Sequence, residues 1–331
     1  MELRALGKTG LKVSPIGLGL AALGRPGYIN IGHGQDLAGQ YDEAAMEQHA
    51  HAVLQAAYDH GVRYFDVARS YGLGEKFLGT WLSAERFDRG NVTVGSKWGY
   101  TYTANWKVRA DSHEVKDHSL PVLRRQWDES RSLLKNFLQI YQIHSASTES
   151  GVLGNTEVLD ELARLKSTGV RIGLSLSGPR QAESLGKAME IQVDGVALFD
   201  TVQATWNLLE QSAGPALLAA SRAGLGVIIK EALANGRLTE RNTEPEFRPK
   251  LDALKREATK LQITVDAVAL AVCLAQPFVD VVLSGAVTVT QLQSNLRATA
   301  LKFGEASRQC LAGFAEPPET YWAMRKTLAW N

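Results

Sequence analysis

The chain has 331 residues, 45% of them hydrophobic, and a net charge of +1. That length suits one α/β barrel of roughly 250 residues with insertions, and the near-neutral charge excludes a general electrostatic pull toward nucleic acid or anionic membrane. No apolar run approaches the roughly 20 residues of a membrane span, and Met1-Glu2-Leu3-Arg4 is not the charged-then-apolar start of a signal segment, so the expectation is a cytoplasmic protein without membrane or nucleic-acid partners.

Residues 2–13 hold Thr9-Gly10, a tight-turn signal between two short runs, which predicts a β-hairpin. From there apolar strand-like runs alternate with amphipathic stretches. Candidate strands fall at 14–19, 62–66, 91–97, 138–144, 170–175, 199–203, 225–230 and 280–284, the eight that a closed barrel needs. Helical patterns fall between them at 43–60, 119–135, 155–167 and 289–299, and a helical pair at 246–261 and 265–275 precedes the last strand. Gly61 stops the first helix and Asn155-Thr156 opens the third. No linker, repeat or low-complexity tract interrupts the pattern, so residues 1–331 are expected to form one domain, a (β/α)8 barrel with an N-terminal hairpin cap. Cys273 and Cys310 make no metal or redox spacing and are expected as reduced thiols.

Three segments are long. Residues 23–42 are rich in glycine, residues 99–118 hold Tyr100, Tyr102, Trp106 and His118, and the tail from 303 holds Tyr321, Trp322 and Trp330. Loops that follow barrel strands lie on the catalytic face. Tyr28, Trp98 and Trp106 are therefore candidate pocket aromatics, and loss of Trp106 is expected to raise a substrate KM.

Three of the strand-like runs end in one ionisable residue each: Val62-Arg63-Tyr64-Phe65-Asp66, Val92-Thr93-Val94-Gly95-Ser96-Lys97 and Leu138-Gln139-Ile140-Tyr141-Gln142-Ile143-His144. Such ends build a poor core and a good site on a barrel rim. A buried lysine needs a carboxylate or loses its proton, and Asp66 supplies one for Lys97. Tyr71 lies five residues past Asp66, before Gly72. Its ordinary pKa of about 10 is too high for base work near neutrality, so Lys97 is expected to lower it. A neutral His144 would orient a substrate carbonyl. The other six histidines read as structural; His49 and His51, two apart on a helix, face different sides and make no metal site.

Phe65-Asp66-Val67-Ala68-Arg69-Ser70-Tyr71-Gly72, with Gly74-Glu75 and Leu78-Gly79, resembles the signature of the aldo-keto reductases. Lys97-Trp98-Gly99 and Tyr141-Gln142-Ile143-His144 resemble that family's lysine and histidine strands. The similarity runs from the Leu3–Val13 hairpin to Asn295. It implies a hairpin that plugs the barrel's N-terminal end, a pocket made by the long loops and tail, and NAD(P)-dependent interconversion of a carbonyl (aldehyde, ketone or aldose) and an alcohol. It implies Asp66, Tyr71, Lys97 and His144 as catalytic residues. By the same resemblance Gln203 and Ser175 would hold the nicotinamide carboxamide, although Leu176 replaces the usual Asn. Leu233, Gly236 and Arg237 belong to a segment like the pyrophosphate loop, and Gly285, Gln291 and Asn295 match the adenosine end. Lys230-Glu231-Ala232 stands where the family has an aromatic-Ser-Pro stretch, and whether Trp206 supplies the missing aromatic is open. Lys230 itself is open between an ion pair with Glu231 and contact with cofactor phosphate or substrate.

The glycines at 17, 19 and 24, and at 72, 74 and 79, lack Rossmann spacing and read as loop glycines on the rim. The window 285–295 contains no Lys or Arg, so NAD(H) is expected to serve at least as well as NADP(H). Two other readings remain: a cofactor-binding regulatory or channel-accessory protein on the same fold, and a lyase using Lys97 as a Schiff base.

Overall fold

A computed structural model describes residues 1–85, 87–88, 90–301 and 311–331; Cys310 lies outside the described residues. The barrel is closed by Ile16–Gly19, Tyr64–Asp66, Thr93–Trp98, Leu138–Ala146, Arg171–Leu176, Thr201–Thr205, Gly226–Lys230 and Val281–Ser284, every neighbouring pair parallel. These are the eight strands the alternation predicts. The hairpin pairs Arg4–Ala5 with Lys12–Val13. It caps the end where the strands begin: Gly7 N–H donates to Asp280 at 3.2 Å and Lys8 N–H to Gly224 O at 2.8 Å.

Alternation along the strands sorts the residues into two sets. Phe65, Val94, Tyr141, Ile172, Leu174, Val202, Ile229 and Val282 join the helices in the main core. Tyr64, Ile140, Ile228, Val281 and Leu283 pack inside the barrel with Leu6 and Val13 of the hairpin. On three strands the next inward position up is the site residue: Asp66 follows Tyr64, Lys97 follows Gly95, and Gln142 follows Ile140. The lower barrel is thus apolar and the upper barrel polar.

Two glycines make room for Tyr64. A Cβ at Gly17 would lie 2.7 Å from the Tyr64 ring, and one at Gly95 2.7 Å from its hydroxyl. The rim-loop reading of the glycines is therefore corrected: Gly17 and Gly19 lie in the first barrel strand, and Gly74 and Gly79 in the helix Gly74–Ala84. Gly79 lets that helix touch Leu120–Leu134, since a Cβ there would stand 2.4 Å from Leu133 O.

The helices start on local signals. Asp42 accepts from Ala44 and Ala45 N–H to cap Glu43–Asp59, Asn155 accepts from Val158 N–H to cap Thr156–Ser167, and Thr288 caps Val289–Leu296. Two expected helices are shorter than read. Arg248–Leu261 follows a 3-10 turn, Pro245–Phe247, and Val289–Leu296 passes into another, Arg297–Ala300. The long segments carry structure of their own: helix His33–Asp36 in 23–42, the antiparallel pair Tyr100–Tyr102 with Glu114–Lys116 in 99–118, and helix Pro318–Thr327 in the tail. Among the described residues no helix is long and apolar enough to cross a membrane.

Candidate active site

Asp66, Lys97 and His144 reach the site from the second, third and fourth strands, and Tyr71 from the turn after the second. That turn is held from both sides. Tyr71 N–H donates to Ala68 O at 3.0 Å, Gly72 takes φ +57°, and a Cβ on Gly24 would lie 2.2 Å from Tyr71 O. Below it Glu75, 1% exposed, accepts from Ser96 Oγ and Ser130 Oγ, each at 2.6 Å, and pairs with Arg69. The motif's glutamate thus fixes the turn that presents the tyrosine.

Lys97 Nζ donates to Asp66 Oδ2, to Val67 O at 3.1 Å and to Tyr71 Oη at 3.3 Å. Those three bonds account for all three ammonium hydrogens. The other oxygen of Asp66 accepts from Gln203 Nε2 at 2.8 Å, Tyr64 Oη at 3.3 Å and Gln142 Nε2 at 3.4 Å. The His144 ring meets the Tyr71 ring edge-on at 5.6 Å, and its Nδ1 lies 3.5 Å from Ser70 Oγ. His118 Nε2 lies 2.9 Å from the His144 carbonyl and so ties the loop 99–118 to the histidine strand.

The electrostatics differ from the expectation for the tyrosine. Burial pushes the Tyr71 hydroxyl well above its ordinary range, the Asp66 charge adds to this, and the opposing charge is that of Arg25. In this state Tyr71 is a protonated phenol, ready to donate. His144 titrates well below its usual range because it is buried, with Lys97 and Lys230 adding to the effect. The imidazole is neutral.

A cavity of about 620 Å³ runs from this cluster along the strand ends. Of the expected cofactor residues, Gln203, Lys230, Leu233, Gly236, Gly285, Gln291 and Asn295 line it. Ser175 and Arg237 do not: Ser175 Oγ accepts from Ser145 N–H at 2.8 Å, and Arg237 holds Glu316 through two bonds at 3.0 and 2.6 Å. Ser177 lines the cavity beyond Ser175. Gln291 spends its side-chain oxygen on the backbone of Val287, at 2.9 Å, in the capping box of its helix. Leu176 is fully buried in the core, and Trp206 packs on Phe278 at 5.9 Å, outside the cavity lining.

The expected pocket aromatics divide. Tyr28 lines the cavity. Trp98 is fully buried against His118, and Trp106 is turned away, its Nε1 donating to Tyr41 O at 2.6 Å and its ring against Phe77. Trp106 takes a positive φ of 62°, and its side chain turns to Tyr41 and to Phe77 of the helix Gly74–Ala84, which loop composition alone does not reveal. Trp106→Ala is therefore expected to cost about 0.5–3 kcal/mol of stability and to leave both KM values unchanged. Urea unfolding and steady-state kinetics check this; a large rise in substrate KM at unaltered stability would return Trp106 to the pocket.

Sequence reasoning missed several cavity residues. Arg25, 2% exposed, lies over the Tyr71 ring at 5.2 Å and pairs with Glu114 at 3.2 Å. Trp330 stacks on His113 at 3.7 Å and also faces Arg25. Glu231 and Arg325 join strand seven to the tail helix. These residues sit on loops and on the tail, where no periodicity marks which side chains turn inward.

A closed parallel barrel with a protonated phenol, an ammonium, a carboxylate and a neutral imidazole at one end of a long cleft defines a class of oxidoreductases. The chain belongs to the Aldo/keto reductase family, whose pattern matches residues 15–312. It is similar to the L-galactose dehydrogenase of Arabidopsis thaliana, 28% identical over 311 residues, 90% of this chain and 88% of that protein. A D-threo-aldose 1-dehydrogenase of a Pseudomonas species is 25% identical over 256 residues, 72% of this chain and 76% of the relative. The solved holo form of an aldo-keto reductase from Bacillus halodurans matches in fold with a TM-score of 0.72, at 22% identity, covering 96% of this chain and 97% of that one.

Proposed function

We propose that this single-barrel protein interconverts a carbonyl and an alcohol on a small molecule, using NAD(H) or NADP(H). The observation that carries the reading is the triple bonding of Lys97 to Asp66, Val67 O and Tyr71. A lysine with every hydrogen engaged and a carboxylate against it is no free amine, which speaks against a Schiff-base lyase. It does suit an ammonium that steadies a phenol as its proton leaves.

The cleft suits a dinucleotide. It is long, glycines at 236 and 285 border it, and Asn235 Oδ1 is buried beside it with no hydrogen-bond partner among the described residues. Gln203 would hold the nicotinamide end, and Leu233, Gly236, Gly285 and Asn295 the remainder; when bound, the cofactor supplies or accepts a hydride. In the reductive direction Tyr71 Oη gives its proton to the carbonyl oxygen. Lys97 Nζ stabilises the phenolate left behind, Asp66 holds Lys97 charged and in place, and neutral His144 orients the oxygen without competing as an acid. The oxidative direction reverses the proton. A turnover screen of sugars, aldehydes and secondary alcohols with both cofactors tests the reading; stoichiometric partner capture with negligible turnover would favour a regulatory protein instead.

The structure also bears on cofactor choice. A 2′-phosphate needs a cation in contact. Arg297 is exposed and bonded to Gln262 O, and Arg237 is committed to Glu316. Arg241 lines the cleft but is paired with Asp36, while Asp266 and Glu240 add carboxylates to the wall. NAD(H) is expected to serve at least as well as NADP(H). A preference of about a hundredfold for NADP(H) in kcat/KM, about 2.7 kcal/mol, would overturn this and point to Arg241.

A further inference from the structure

Three groups of facing charges stand near the reacting end of the cavity, and one of them is unequal. Lys97 faces Asp66, and Arg25 faces Glu114 at 3.2 Å. The third group sets two cations against one carboxylate. Arg325 Nε donates to both oxygens of Glu231, at 3.0 and 2.9 Å, and Lys230 Nζ lies 3.7 Å away. Within these three groups one positive charge is left over.

Lys230 carries it. Its ammonium has three donors, and its hydrogen bond among the described residues is to Thr205 Oγ1 at 2.8 Å. Lys230 shares the Glu231 carboxylate, 3.7 Å away, with Arg325, which holds both of that carboxylate's oxygens at closer range. The side chain is 16% exposed and lines the cavity, with the Trp322 ring 5.8 Å from its Nζ. Glu231 takes φ +56°, which turns the chain so that two successive side chains meet on one side. Burial lowers the Lys230 ammonium to about 8, so it is mainly charged at neutral pH. Thr205, to which it bonds, lies two residues past Gln203 on the same strand, and Gln203 bonds Asp66, so Lys230 stands near the reacting end of the cleft. A largely buried cation that shares its one carboxylate with a second cation, and has donors to spare, favours a further anion in the cavity.

We propose that Lys230, backed by Arg325, is an oxyanion subsite that receives a carboxylate or phosphate group of the small-molecule substrate; this rests on the carbonyl–alcohol reading above and narrows its substrate class. The same chemistry has a second source, the phosphates of the cofactor, which the test separates.

The full chain and its variants Lys230→Met and Lys230→Arg, each saturated with NADH, are titrated calorimetrically with succinate, with its neutral diamide and with inorganic phosphate. The wild type is expected to bind succinate or phosphate at least about tenfold more tightly than the diamide. Lys230→Arg keeps the preference and Lys230→Met loses it. Equal affinity for charged and neutral probes in the wild type, no binding of either anion, or a preference that survives Lys230→Met would each overturn the proposal. NADH titration of the cofactor-free proteins is the second arm: a tenfold or larger loss in Lys230→Met assigns the anion to the cofactor and overturns the substrate subsite. None of these readouts needs turnover, so failure of the oxidoreductase reading, seen in the turnover screen, is distinguishable.

Discussion

Tyr71→Phe is expected to lower kcat by about 10²–10⁴-fold, the usual cost of losing a general acid, while leaving cofactor affinity close to normal. Lys97 Nζ bonds the Tyr71 hydroxyl at 3.3 Å and lies 4.8 Å from the ring centre. Phenylalanine keeps the ring that packs edge-on to His144 and under Arg25, so the pocket keeps its shape and only the proton donor is lost. Single-turnover rates and fluorescence titration with the cofactor separate the two effects. A variant at the wild-type rate would remove Tyr71 from the chemistry.

Asp66→Asn is expected to damage both folding and catalysis. One carboxylate oxygen takes the Lys97 ammonium and the other takes Gln203, Gln142 and Tyr64 as donors. An amide must point its NH2 at one of these two sets, so a donor meets donors whichever way it turns. The lysine is also left without its counter-charge while 0% exposed. Breaking a buried pair in this way costs about 3–5 kcal/mol, read as a lower denaturant midpoint at unchanged slope. Turnover should fall with it, because an unheld or neutralised Lys97 no longer steadies the tyrosine. Asp66→Asn combined with Lys97→Met is expected to recover part of the stability and none of the activity. Equal stability of Asp66→Asn and wild type would mean that the pair contributes little to the fold.

Local periodicity made the barrel legible in the sequence. Strand ends come within a few residues of the runs read from apolar content, because a strand buried on both faces must be apolar along its length. Asp66, Lys97 and His144 stood out because each breaks such a run, and the structure brings all three together with Tyr71. The cap at Asn155, read from Asn155-Thr156, is encoded within a single turn.

What the tertiary structure alone decided is which distant side chains share the cavity. Gln203 donates to Asp66 across 137 residues of sequence, Arg25 meets Glu114 across 89, and Glu231 meets Arg325 across 94. Nothing local distinguishes these from surface charges, since each depends on strand register and on the path of a loop. The same holds for Trp98 and Trp106, which share the composition of a pocket but face the core and, for Trp106, Tyr41 and Phe77. The protonated state of Tyr71 belongs here too. An ammonium nearby lowers a phenol's pKa, but burial beside a carboxylate outweighs it, and that burial depends on segments distant in sequence, among them Arg25 of the first long loop, which lies over the Tyr71 ring.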